Sequence, residues 1–308
     1  MMTLWEHYHL PVTVDEALTH LAQYSGAARV VAGGTDLLLE LQQGHRPPVA
    51  ALVDVTRVPE MRAIGERDGW VYVGASVTHT AIVASPLLTR AATCLVESCG
   101  VIGGPQVRNV ATIGGNVAHA LPAGDGTISL VALDAEAEVA GPSGRSWRPM
   151  AALFKGPGQS AVDCTRELIV QFRFRPAASG EVTAFKRVMR PQGVALPILG
   201  MAVWLKSAPS GDETPVVEDV RIAFGPAGPT PLRVVKTEAF LKGRRLDDET
   251  LSQTAQVLAS EVRLRTSPHR ATSEYRGELL GTLLERAVKL AAYRAQTGDI
   301  QPEGLGLA

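Results

Sequence analysis

The chain of 308 residues has room for two domains of ordinary size. Its hydrophobic share of 45% and charged share of 20% exclude a disordered polypeptide. Lys+Arg at 30 against Asp+Glu at 31 gives a net charge of −1, and aromatics are 5%, so neither a field for nucleic acid or an anionic membrane nor a stacking platform for single strands is present.

No apolar run approaches the ~20 residues that span a bilayer. Positions 1–10 include Glu6 and His7 and hold no apolar core of signal-peptide length, so the chain is expected in the cytoplasm. Cys94, Cys99 and Cys164 lack the number and spacing of a disulfide framework, a zinc site or an iron–sulfur site. They are expected to be buried or half-buried free thiols.

Taken in chain order, Thr13 and Glu16 have capping-box spacing, and Ala17, Leu18, Leu21 and Ala22 continue at helical spacing. Residues 29–32 predict a short buried strand that Gly33 and Gly34 break; 36–43 predict a helix stopped by Gly44, and 51–54 a second strand. The segment therefore reads as a β-α-β unit with a glycine turn at its centre. A strand at 70–73 follows, and Ser85 with Pro86 opens a helix expected to run to about Ser98. Residues 101–106 turn, 112–116 form a second double-glycine turn, and a loop containing Pro122, Gly124, Asp125 and Gly126 leads to a buried helix over 128–133. Residues 136–140 and 168–174 predict antiparallel strands. Beyond a linker near 176–180, strands at 182–186, 201–205 and 220–224 precede helices at 236–241, 248–260 and 275–295. Strands first and helices afterwards predict an α+β domain.

The two glycine turns carry the chemistry. In each, a glycine pair follows an apolar stretch and precedes a small polar residue: Gly33 and Gly34 before Thr35, and Gly114 and Gly115 before Asn116. Glycine admits positive φ and lets a ligand approach the amides, and successive free N–H groups make a nest for phosphate oxygens. Thr35, Thr112 and Asn116 can add side-chain hydrogen bonds. Two such nests could hold the two phosphates of a dinucleotide. Neither a GxGxxG fingerprint between strand and helix nor a Walker P-loop occurs, so a different scaffold is required.

The string VAGGTDL at 31–37, then TIGGN at 112–116 with Pro122 and Asp125 downstream, resembles the FAD-binding medium subunit of the molybdenum hydroxylases. That family includes the carbon monoxide dehydrogenase flavoprotein and the flavin part of xanthine dehydrogenase. The likeness continues through 163–174, AFK at 184–186 and SEYRG at 273–277. It implies an α+β fold: a two-part vanillyl-alcohol-oxidase-type (PCMH-type) FAD-binding domain, followed by a C-terminal domain of a three-stranded antiparallel sheet and a helix bundle. The domains implied are 1–177, split into 1–56 and 57–177, and 178–308.

The resemblance implies non-covalent FAD. Val31, Ala32, Gly33, Gly34, Thr35, Asp36 and Leu37, with Thr112, Gly114, Gly115 and Asn116, match the pyrophosphate loops. Asp125 matches an acidic position directed at the ribityl hydroxyls, while Ile102, Ile169 and Lys186 match further cofactor contacts. Leu121 stands where relatives often have a small polar residue. Asp36 reads equally as a helix cap, Lys186 as a solvated strand-end lysine, and Ile102 and Ile169 as core. His79 and His119 are the histidines to weigh for a covalent flavin link, with satisfied or surface histidine the favoured reading, and Arg187 and Arg190 read as a solvated or interface pair.

No catalytic side chain and no metal ligand set is expected. The implied function is an electron-transfer subunit that passes electrons from [2Fe–2S] clusters of a partner through FAD to an external acceptor such as NAD+ or a quinone. The molybdenum cofactor and the clusters are expected on a large and a small partner subunit, in a dimer of heterotrimers. A free-standing FAD-dependent oxidoreductase and a cofactor-free scaffold subunit are the alternatives.

Overall fold

Thr13 starts the first helix, Val14–Gln23, by accepting the Glu16 amide at 3.1 Å, while Glu16 reaches back to the amide of Val12 at 2.8 Å. The capping box thus closes one residue earlier than its standard form. The helix buries Val14, Ala17 and Leu21. In this computed structural model, which describes residues 3–190, 196–207, 214–267 and 270–304, the expected β-α-β segment gains a third strand. Trp5–His9, Val49–Asp54 and Ala28–Val31 form a parallel sheet in that spatial order. Trp5–His9 escaped the sequence reading because this edge strand leaves Glu6, His7 and Tyr8 exposed and carries no apolar alternation.

A second, antiparallel sheet runs in the order Ile64–Arg67, Trp70–Gly74, Leu168–Phe174, Glu136–Gly141, Gly144–Pro149. It pairs the two strands expected at 136–140 and 168–174 side by side. Val71, Val73, Ala137, Val139, Val170 and Phe172 are buried within it, at 1% exposure or less. Sheet and β-α-β segment belong to one compact unit, made of Met1–Ala81, Pro105–Leu121 and Ala135–Phe174.

The other compact unit comprises Ile82–Gly104, Pro122–Asp134 and Arg175–Ala308. Its sheet orders Glu181–Met189, Pro197–Ser207, Val217–Gly225 and Leu232–Arg233, all antiparallel. Three long strands match the expected three; the fourth is a two-residue addition. Helices Val235–Leu241, Asp248–Glu261 and Ser273–Thr297 share a core with the sheet that includes Leu199, Met201, Phe224, Leu283 and Leu284. The expected single helix from Ser85 is instead two, Pro86–Ala91 and Thr93–Gly100, interrupted at Ala92 with φ −162°. Every residue of Thr93–Gly100 and of Asp125–Ala132 is buried. A helix buried all round must meet protein on every side, and Thr93–Gly100 meets strand Glu181–Met189. There Thr183 Oγ1 accepts the Cys94 amide at 3.0 Å, and Glu97 accepts the Phe185 amide at 2.8 Å.

Candidate cofactor site

The first glycine turn leaves strand Ala28–Val31 and enters helix Leu37–Gln42. Gly34 has φ +68°, a left-handed conformation that L side chains rarely adopt. At Gly33 the constraint is space: a Cβ there would lie 2.2 Å from the carbonyl oxygen of Val110 and 2.8 Å from the Cα of Ala111. Asp36 occupies the N-cap position, yet its side chain makes no capping bond. His119 lies beside it, Nε2 at 3.7 Å from Asp36 Oδ1 and Nδ1 at 3.9 Å from Glu40 Oε1. Among the described residues, the amides of Gly33, Gly34, Thr35 and Asp36 donate to no protein acceptor. This turn keeps the character of an anion-binding nest.

The second glycine pair is not a nest. It forms the first turn of helix Ile113–Ala118, capped by Thr112, whose Oγ1 accepts the Gly115 amide at 3.1 Å. The Ile113 amide donates to Val77 O at 3.0 Å, Gly114 to Ala75 O at 2.8 Å and Asn116 to Thr112 O at 3.0 Å. The amides expected to hold phosphate are therefore already satisfied. What glycine provides here is closeness, since a Cβ on Gly114 would stand 2.6 Å from both the Cβ and the carbonyl oxygen of Ala75. Thr112 still has its own O–H to donate, because its oxygen is used as an acceptor.

Within this unit a cleft of about 130 Å³ brings the two motifs together. Its walls include Ala32 from the first turn, Thr112, Gly114 and Gly115 from the second, and Ile169 from strand Leu168–Phe174. Sequence reading missed Ser76, Ser160 and Cys164, which also line it. Ser76 and Ser160 lie outside every motif, and Cys164, although within the 163–174 likeness, was read only as a free thiol; the folding of distant loops brings them there. Cys164 is exposed, in contrast to the burial expected of it, whereas Cys94 and Cys99 are buried.

Ile102, Asp125 and Lys186 belong to the other unit. Ile102 is half-buried just after helix Thr93–Gly100. Asp125, expected in a loop, is the first residue of helix Asp125–Ala132 and is 3% exposed. Its Oδ2 accepts Arg187 Nη1 at 2.8 Å, and its Oδ1 has no partner. Burial pushes the carboxyl up to about 7, against the opposing pull of Arg187 and Arg270. Arg187 is accordingly an ion-pair partner with a side chain 10% exposed, correcting the solvated reading. Lys186 lies inside strand Glu181–Met189 and pairs with Glu303. His79, 1% exposed, is a core histidine whose pKa burial, with the Arg108 charge, lowers to about 4.

A turn with four free amides, held so close to Val110 that no side chain fits at Gly33, suits a diphosphate-bearing cofactor. The first residue motif and the architecture around it define a flavoprotein scaffold, and comparison with known proteins agrees. The family described as FAD binding domain in molybdopterin dehydrogenase matches residues 3–176, and the CO dehydrogenase flavoprotein C-terminal domain matches residues 183–291. The xanthine dehydrogenase FAD-binding subunit of Escherichia coli O157:H7 is 30% identical over 297 residues, covering 96% of this chain and 98% of the relative. The carbon monoxide dehydrogenase medium chain of Hydrogenophaga pseudoflava is 30% identical over 284 residues, covering 92% and 96%. The solved carbon monoxide dehydrogenase from Hydrogenophaga pseudoflava matches with a TM-score of 0.87 at 29% identity, covering 96% of this chain and 100% of that one. The chain belongs to the FAD-binding flavoprotein subunits of the molybdenum hydroxylase family, oxidoreductases with the α+β fold expected from the sequence. Among the described residues no cluster of His, Cys, Asp or Glu could hold a metal ion, and no helix is long and apolar enough to cross a membrane.

Proposed function

We propose that this chain is the electron-transfer subunit of a molybdenum-containing hydroxylase complex, standing between the [2Fe–2S] clusters of a small partner subunit and an external acceptor. The substrate-oxidising molybdenum cofactor would sit on a large partner subunit, and the assembly would be a dimer of heterotrimers. The observation that carries this reading is the turn 33–36, whose amides are free while every neighbouring backbone constraint holds it in place. Bound FAD supplies one- and two-electron redox chemistry, which suits a junction between single-electron clusters and a two-electron acceptor.

The chain's own residues bind and orient. The amides of Gly33, Gly34, Thr35 and Asp36 would donate to the pyrophosphate, with Val31, Ala32 and Leu37 fixing the turn at its two ends. Thr112 would add its hydroxyl from the cleft wall, Gly114 and Gly115 would keep that wall thin, and Asn116 would add its side-chain carboxamide. Ile169 supplies apolar surface that excludes water. No side chain of the cleft needs to act as acid, base or nucleophile. The two ranges 1–177 and 178–308 are proposed as the FAD-binding and C-terminal domains. The three unpaired cysteines are consistent with a reducing cytoplasm.

The visible spectrum of the purified chain tests this directly. Flavin absorbance with about one acid-releasable FAD per chain supports it. A colourless protein that refuses added FAD removes the electron-transfer role and leaves the scaffold alternative. Partner co-expression followed by gel filtration separates the subunit reading from a free-standing oxidoreductase.

A further inference from the structure

His119 joins the two glycine motifs by charge. It caps the C-terminal end of helix Ile113–Ala118, which carries the second glycine pair, and its ring lies beside the cap and first turn of helix Leu37–Gln42, which follows the first pair. Nε2 stands 3.7 Å from Asp36 Oδ1, and Nδ1 stands 3.9 Å from Glu40 Oε1. Both separations exceed hydrogen-bond reach, so the ring acts on the two carboxylates through its charge when protonated. Histidine is the side chain that ordinarily changes charge between about pH 5 and 8. A cation is also favoured at the C-terminal end of a helix, where His119 stands.

Asp36 needs such a neighbour. An aspartate at a helix cap ordinarily turns its carboxylate onto the amides two or three residues further on, but Asp36 makes no such bond. Ionised and uncompensated beside the free amides of 33–36, it would repel the phosphate that those amides suit. Glu40 adds a second negative charge one helical turn on; Arg46 holds its Oε2 at 2.9 Å, and Oε1 is the atom nearer His119. The charges on the other elements around His119 are paired or exposed. Helix Ile113–Ala118 itself contains none. Strand Leu168–Phe174, packed on that helix, has Arg173, paired with Glu136 at 2.7 Å. The hairpin whose Gly158 amide donates to Ala120 O at 3.0 Å carries Lys155, which is exposed.

We propose that His119 is a positioning residue for the diphosphate of the cofactor: protonated, it offsets Asp36 and Glu40 and keeps the Asp36 carboxylate off the amides of the turn. FAD is then held more tightly when His119 is charged than when it is neutral. This rests on the reading of 33–36 as the turn that takes the FAD diphosphate. It adds that cofactor affinity depends on pH through one side chain, acting by way of Asp36.

Titration of the flavin-free full chain with FAD, followed by flavin fluorescence at about pH 6 and about pH 8, tests the proposal. The wild-type chain should bind at least about threefold more tightly at the lower pH. His119→Gln should show the weaker affinity at both values, and His119→Arg the tighter affinity at both. In an Asp36→Asn background, His119→Gln should cost less than it does alone. Circular dichroism confirms that each variant folds. Asp125, with its carboxyl at about 7, titrates in the same window, but its effect survives in His119→Gln and is removed by that comparison. Wild-type affinity that does not change with pH overturns the proposal. So does a full wild-type pH dependence in His119→Gln, or an equal loss in the Asp36→Asn background. Those outcomes leave FAD binding itself standing, whereas a wild-type chain that binds no FAD at either pH overturns the electron-transfer reading together with this one.

Discussion

Gly33 and Val110 touch through their backbones so closely that a Cβ on Gly33 would lie 2.2 Å from the Val110 carbonyl oxygen. The contact seats the first glycine turn against the chain just ahead of Thr112. It sets the distance between the two motifs by main chain alone, before any side chain contributes. The free amides of the turn are therefore held in position by the rest of the unit, with no dependence on a ligand for their placement.

Gly33→Ala should consequently displace the turn. The overpacking is expected to cost about 1–3 kcal/mol and to lower FAD affinity at least tenfold. Gly65→Ala serves as the control, because nothing lies within 4 Å of a Cβ at that position. Flavin content after desalting, with urea midpoints for both variants, distinguishes a local effect from general unfolding.

His79 gives a pH dependence of definite sign. Its native pKa of about 4 is below the ordinary 6.5, so between these values the unfolded chain binds the extra proton. The stability it contributes is complete above pH 6.5 and is lost as pH falls towards 4. A ring-proton NMR titration should show His79 neutral throughout the range in which exposed histidines become charged. Titration of His79 near 6.5 would contradict its burial as the controlling effect.

Asp125 behaves in the opposite sense. Burial raises its carboxyl from 3.8 to about 7, so the folded state holds a proton that the unfolded state releases. Its contribution is complete below pH 3.8 and is lost as pH rises through about 7. Asp125→Asn should flatten the change in urea midpoint across that window, relative to wild type. An unchanged slope would mean that Arg187 keeps the carboxylate ionised throughout.

Among the described residues the Glu97–Arg294 pair is the most heavily buried ion pair, with side chains 2% and 1% exposed and a shortest contact of 2.6 Å. Arg294→Met leaves Glu97 charged and buried, at an expected cost of ~3–5 kcal/mol. A Glu97→Gln/Arg294→Met double variant should recover part of that loss. Chemical denaturation of all three proteins measures the coupling.

Thiol reactivity should divide the cysteines. Burial pushes Cys94 up to about 12 and raises Cys99 as well, while Cys164 is exposed on the cleft wall. One thiol is expected to react with a disulfide reagent in the native chain, and all three in denaturant. FAD should slow the labelling of Cys164 if it occupies the cleft. Equal labelling rates with and without bound FAD would place the cofactor elsewhere.

Much of the fold was legible because it rests on local rules. Thr13 caps the first helix, Gly33 and Gly34 end a strand, and 136–140 with 168–174 form paired antiparallel strands. The reading erred where neighbours distant in sequence override local signals. Trp5–His9 is a strand because it pairs with Val49–Asp54, and 85–98 is divided at Ala92 although nothing in its composition forbids a continuous helix. Arg187 gave no sequence sign of its role, because an arginine near a strand end pairs with Asp125 only after the chain has folded.

The sequence by itself determined the family and the class of fold and marked the two glycine pairs, since these follow from residue order, while the close approaches of Val110 to Gly33 and of Ala75 to Gly114 came only with the fold. Only the tertiary structure decided which of the two glycine segments keeps its amides free. In the second, Ala75 and Val77 accept the Gly114 and Ile113 amides across a large separation in sequence. In the first, no acceptor comes within reach among the described residues. Residue type sets the conformations open to a turn, but whether its N–H groups are satisfied depends on what the fold brings beside them.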